Sequence, residues 1–135
     1  MPISMDVDHA RRRVYTRAWG SVTYDEVQAH LSEEARKQGL GYPELVDATG
    51  ATTALTSGQI RELVRRTHAL LRRGPFVPTA IAATHDVLYG MARMYEILAG
   101  DDGVSVGVFR TVADAERWLS EAELHPSAAG PSSAP

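Results

Sequence analysis

Ile3, Met5 and Val7 alternate with polar neighbours, and the alternation resumes from Val14 to Trp19 after Asp8-His9-Ala10. A period of two marks half-buried strands, so the N-terminus is expected to form an antiparallel hairpin. At Thr23 the period changes. Thr23-Tyr24-Asp25-Glu26 has the order of a capping box, with the threonine hydroxyl accepting from the third helical N–H and the glutamate reaching back. Tyr24, Val27, Leu31 and Ala35 follow at helical spacing. This helix is expected to stop near Gln38, because Gly39 and Gly41 flank a loop and Pro43 cannot continue it.

Glu44 to Asp47 reads as a short strand, with Gly50 of Ala48-Thr49-Gly50 permitting a sharp exit. Thr56-Ser57-Gly58-Gln59 is a second capping box. It opens a helix with Ile60, Leu63, Val64, Thr67, Leu70 and Leu71 on one face, closed by Gly74-Pro75. Thr79 to Thr84 is so small and apolar that both its faces are expected to be covered, as in a central parallel strand. A third helix follows over roughly 87 to 99. Gly100-Asp101-Asp102-Gly103 then makes a turn, Val104 to Phe109 a strand, and Thr111 caps a last helix carrying Val112, Ala115, Trp118, Leu119 and Ala122. The order ββαβαβαβα, with right-handed crossovers, predicts a single α/β domain. Its sheet is mainly parallel, about five strands with an N-terminal hairpin at one edge, and about four helices pack against it. The domain is expected over residues 1–123. Residues 124–135, rich in Pro, Ser, Ala and Gly, are expected as a disordered tail.

Composition narrows the chemistry. The chain has 135 residues and 44% apolar content, enough for one ordinary core. A net charge of -3 disfavours nucleic acid, and the absence of cysteine excludes disulfides and thiolate chemistry. The first residues include Arg11-Arg12-Arg13 and lack the apolar run of a signal peptide. No 18-residue apolar run follows, so no membrane span is expected and the protein is read as cytoplasmic. His9, His30, His68, His85 and His125 fall in different elements without ligand spacing, so neither a metal nor a cofactor is expected. Gly39-Leu40-Gly41 is too short for a phosphate loop.

Leu45-Val46-Asp47, the run Gly90-Met91-Ala92-Arg93-Met94-Tyr95-Glu96, and the ending Val108-Phe109-Arg110 with Ala115 and Trp118-Leu119 occur in a telling order. On these residues the chain resembles the SpoIIAA-like group of the STAS/SEC14 superfamily over about residues 3 to 122. The resemblance implies a non-enzymatic role, either binding a partner protein or holding an apolar small molecule. Anti-sigma-factor antagonists of that superfamily carry an Asp-Ser-Ser-Gly turn whose serine is phosphorylated. Here the matching stretch is Leu55-Thr56-Ser57-Gly58, with Leu55 in place of the aspartate. Thr56 is then an N-cap worth about 1 kcal/mol. The alternative is a phosphorylation-switched regulator with Ser57 or Thr56 as phosphosite, the phosphate stabilised by the helix dipole.

On a helical wheel Val87, Gly90, Met91, Met94, Ile97 and Leu98 form one apolar stripe, and Tyr89, Ala92, Arg93 and Glu96 lie on the other side. Tyr89, Arg93 and Glu96 are spaced to meet. They read as a solvated salt bridge, as a dimer or partner surface, or as an anion site exploiting the guanidinium fork. Asp47, Thr49, His85 and Asp86 fall at the carboxyl ends of parallel strands, the edge where open α/β sheets bind ligands. His85 with Asp47 as its orienting carboxylate and Tyr89 nearby would make a catalytic group for a lyase, cyclase or isomerase. The plainer reading has Asp86 capping the next helix and Asp47 bonding backbone in its turn. Ser57 lacks a Gly-x-Ser-x-Gly context, so no hydrolase elbow is indicated. Arg61, Arg65 and Arg72 line one flank of the second helix and Arg66 and Arg73 the other, offset by Glu62. They read as a solvated face, or as attraction to an acidic protein, a membrane surface or RNA. The expectation is a non-catalytic binding module, a homodimer, acting through Asp47, Thr49, His85, Asp86, Tyr89, Arg93 and Glu96.

Overall fold

The computed structural model of the chain describes residues 3–37, 41–71, 77–101 and 105–124. Along it run β1 (Ile3–Asp8), β2 (Arg13–Val22), α1 (Tyr24–Lys37), β3 (Glu44–Thr53), α2 (Ser57–Leu71), β4 (Thr79–Ala82), α3 (Asp86–Asp101), β5 (Val106–Phe109) and α4 (Val112–Leu124). The five strands lie in chain order, β1-β2-β3-β4-β5. β1 pairs antiparallel with β2 from Ile3↔Ala18 to Asp8↔Arg13, and every later pairing is parallel. The hairpin turns where Arg11 N–H donates to Asp8 Oδ1 at 3.0 Å, and Arg12 takes a left-handed φ of 56°.

Both capping boxes form. Glu26 N–H donates to Thr23 Oγ1 at 3.2 Å while Glu26 Oε1 accepts from Thr23 N–H at 2.8 Å. Gln59 N–H donates to Thr56 Oγ1 at 3.2 Å, and Gln59 Oε1 accepts from Thr56 N–H at 2.9 Å. Thr111 caps α4 by accepting from Asp114 N–H at 3.1 Å. These bonds satisfy N–H groups that the first helical turn leaves without intrahelical partners.

Two sequence expectations are corrected. β3 does not end at Asp47 but runs to Thr53. β2 also continues past a register shift between Arg17 and Trp19, and its residues Trp19 to Val22 give Gly50 to Thr53 a ladder partner. Gly50 therefore lies within the strand rather than leaving the sheet. The second correction concerns α3, whose predicted apolar stripe is not its buried face. Ala92 and Ala99 are buried, Leu88 and Tyr95 are half-buried, and Val87 and Ile97 stand 59% and 57% exposed. The buried face is turned by about a third of the wheel from the predicted one, with Met91, Met94 and Leu98 of the predicted stripe half-buried. The expected ends of the first two helices at Gly39 and Gly74, residue 104 of the last strand, and the tail beyond Leu124 lie outside the described residues.

The two faces of the sheet are filled differently. α4 packs on β3, β4 and β5, setting Ala115 and Leu119 onto Leu45, Ala80 and Ala82 with Tyr15, Phe109 and Trp118 around them. Gly107 makes room for this layer, since a Cβ there would sit 2.9 Å from the Phe109 ring and 3.1 Å from Trp118. Arg13, itself buried, holds α4 to β2 through Glu116 Oε2 at 2.6 Å. On the opposite face α1, α2 and α3 pack in succession over Ala18, Val22, Ala48 and Ala51.

Candidate functional site

Strand alternation sends Leu45 toward α4 and Glu44 and Val46 toward α1–α3. The helix layer on that second face does not close completely. A cavity of about 160 Å³ remains between sheet and helices. Val46 and Ala48 form its floor, and Val27 from α1, Leu63 from α2, and Leu88 and Met91 from α3 form its walls. β3 contributes small or branched side chains here, so the floor is shallow while the helix residues stand off it.

Polar groups enter at the amino ends of the parallel strands. Glu44, the first residue of β3, is only 1% exposed. Its Oε2 accepts from the buried Thr16 hydroxyl on the neighbouring β2 and pairs with His30 Nε2 of α1 at 3.1 Å. Burial strips water from the His30 ring and opposes its charge, but the hydrogen bond and negative charge of Glu44, with Glu33 adding, outweigh that and hold its pKa above the ordinary 6.5. Thr16, His30 and Glu44 all line the cavity. A second polar pair lines it from the helices. Thr67 donates to Leu63 O at 2.9 Å, so its single proton is used and the Tyr95 hydroxyl, 2.7 Å away, donates to Thr67.

The residues expected at the carboxyl ends of the strands are arranged otherwise. Asp47 Oδ1 accepts from Thr49 N–H at 3.1 Å and from the Thr49 hydroxyl at 2.7 Å. Asp47 is thus held by Thr49, two residues on in the same strand, and no hydrogen bond joins it to the exposed His85 ring. The catalytic pair proposed from sequence is not formed, because Asp47 is satisfied locally and His85 faces solvent. Asp86 accepts from Arg110 Nη1 at 2.8 Å, and the same nitrogen donates to Thr84 O at 2.9 Å. The Arg110 guanidinium lies 3.8 Å from the centre of the Tyr89 ring, a cation–π contact. Tyr89 is therefore covered by Arg110 and not grouped with Arg93. Arg93 does reach both Glu96 oxygens, at 3.0 and 2.9 Å, while Glu96 Oε1 also accepts from Val108 N–H at 3.0 Å and so ties α3 to β5. Ser57 is exposed at the start of α2 beside the capping Thr56. Arg61, Arg65 and Arg66 are exposed, with Arg65 bound to Glu62. Arg72 and Arg73 lie outside the described residues.

Sequence reasoning passed over the Glu44–His30–Thr16 cluster. A signal was present, since Thr16 falls on the inward parity of the Val14–Ala18 alternation and Glu44 opens an apolar strand. Among the described residues no group of three or more His, Cys, Asp or Glu is placed to hold a metal ion. Also among them, no helix is long and apolar enough to cross a membrane.

An antiparallel hairpin leading a parallel sheet, with three helices on one face and one on the other, is a SpoIIAA-like α/β fold. A crystal structure of an uncharacterized protein of the DUF3478 family with a SpoIIAA-like fold, from Shewanella loihica PV-4, is similar to it with a TM-score of 0.55. The two are 16% identical, and the match covers 87% of this chain and 93% of that one. No protein-family model and no curated protein matches the chain.

Proposed function

We propose that the domain is a non-catalytic binding module that holds a small apolar molecule between the sheet and α1–α3. The observation that carries this reading is the cavity of about 160 Å³. Protein interiors are normally packed to crystal density. A recess of this size, lined mainly by hydrocarbon, leaves its walls without the contacts that packing normally supplies. A binding role accounts for keeping it, because an occupant returns the lost contacts. The test fills the space from within. Ala48→Leu places a branched side chain on the cavity floor, and it is expected to raise the unfolding free energy by about 1 kcal/mol and to abolish toluene uptake in an NMR titration. Uptake equal to that of the parent protein would overturn the reading. Native mass spectrometry of freshly purified protein then shows whether a molecule is carried from the cell.

A second reading, self-association, is favoured by the outer side of α3. Val87, Gly90, Met94 and Ile97 recur at helical spacing along it, with Val87 and Ile97 more than half exposed. Arg93 borders this strip, and arginine beside an apolar stripe suits an interface rim. We expect the protein to sediment as a dimer and Ile97→Glu to sediment as a monomer with its fold retained. A parent protein that is monomeric at all concentrations counts against this surface.

A further inference from the structure

Resting on the cavity reading above, we infer that the occupant is an uncharged molecule of about one ring in size bearing one hydroxyl, a phenol or one-ring alcohol, with that hydroxyl on the Glu44–His30–Thr16 cluster. Size comes first. An engineered apolar cavity of about 150 Å³ in another protein accommodates benzene, so a space of about 160 Å³ has room for one ring. Polarity comes next. The walls are hydrocarbon except where Glu44, His30, Thr16 and Thr79 enter, together with the Thr67–Tyr95 pair. One polar group on the ligand therefore has a defined place to go.

Charge selects the kind of group. Glu44 is buried, and the Thr16 hydroxyl and the His30 ring both bond at its Oε2. A carboxylate has about four acceptor positions, so the cluster has capacity for a further donor. A hydroxyl donating to an ionised carboxylate makes a charge-assisted bond, about twice as strong as a neutral one. A ligand carboxylate would instead bring a second negative charge toward Glu44 in a medium of low dielectric constant.

Phenol and toluene have nearly the same shape, which makes their comparison decisive. Phenol must give up its hydrogen bonds to water on entering, so a purely apolar cavity prefers toluene. A cavity with a placed acceptor reverses that order. Calorimetric titration of the full chain with phenol, toluene and benzoate is expected to show phenol binding at least about tenfold tighter than toluene and no measurable binding of benzoate. Glu44→Gln should bring phenol and toluene close to parity. If toluene binds as tightly as phenol, or if Glu44→Gln leaves the preference unchanged, the hydroxyl assignment is overturned while the apolar cavity stands. Benzoate binding as well as phenol overturns the requirement for an uncharged ligand. If neither phenol nor toluene binds, the cavity reading fails and this inference with it. Should Glu44→Gln not fold, the phenol-to-toluene ratio of the parent protein decides, with nuclear Overhauser contacts from the phenol ring to the Val46 and Leu63 methyls locating it.

Discussion

Replacing His30 with leucine is expected to lower the unfolding free energy by about 3 to 5 kcal/mol near neutral pH, the range found when one partner of a buried charge pair is removed. The reason lies in where Glu44 stands. Its side chain is 2% exposed and that of His30 12%, so little water is at hand to replace the imidazole. The parent protein also carries a pH signature. The folded-state pKa of His30 is raised above its ordinary 6.5, so its contribution is complete below the unfolded value and is lost as pH rises through the folded value. Stability should therefore fall on going from about pH 6.5 into the mildly alkaline range, and His30→Leu should remove that slope. Adding Glu44→Leu to His30→Leu should recover most of the loss, because apolar replacement of a whole buried pair is often neutral or better. Urea unfolding of the three proteins across pH decides the matter. A single variant as stable as the parent would mean that Glu44 does not depend on His30.

Leu119→Ala is the other large effect, expected at about 3 to 5 kcal/mol, the upper part of the range for buried leucine truncation. Leu119 is fully buried and sits on Leu45, Ala80 and Ala82. The size of the loss depends on how far neighbours can close the gap. Ala80 and Ala82 are already minimal, and Trp118 is held between Gly107 and Phe109, so the site has little with which to collapse. Denaturant unfolding should show a lower midpoint with an unchanged slope, the mark of altered stability without altered compactness. A loss below about 1 kcal/mol would show that α4 slides to refill the space.

Some elements were legible residue by residue. Thr23-Tyr24-Asp25-Glu26 and Thr56-Ser57-Gly58-Gln59 announced helix starts that the structure places at Tyr24 and Ser57. Small apolar residues from Thr79 to Thr84 announced a central strand, and β4, which ends at Ala82, lies between β3 and β5. α3 was less legible because most of its circumference is apolar. Several stripes fit such a helix equally well on a wheel, and contact with the sheet selects the one with Leu88, Ala92 and Ala99. The length of β3 was hidden for a related reason, since its second half exists through pairing with Trp19 to Val22 of β2.

The candidate site divides in the same way. Tyr89, Arg93 and Glu96 were rightly placed on one helix, but Arg110, 21 positions beyond Tyr89 in the chain, decides which ring is covered. Glu44 and His30 lie 14 residues apart and Glu44 and Thr16 lie 28 apart, on three different elements. By itself, the sequence determined the order and type of the elements, because caps, turns and periodicities are satisfied within a few residues of where they begin. Only the tertiary structure decided that three helices stand off one sheet face and leave a cavity with a buried carboxylate and imidazole in its wall. That outcome depends on side-chain sizes summed over strands and helices far apart in the chain, a quantity no local pattern carries.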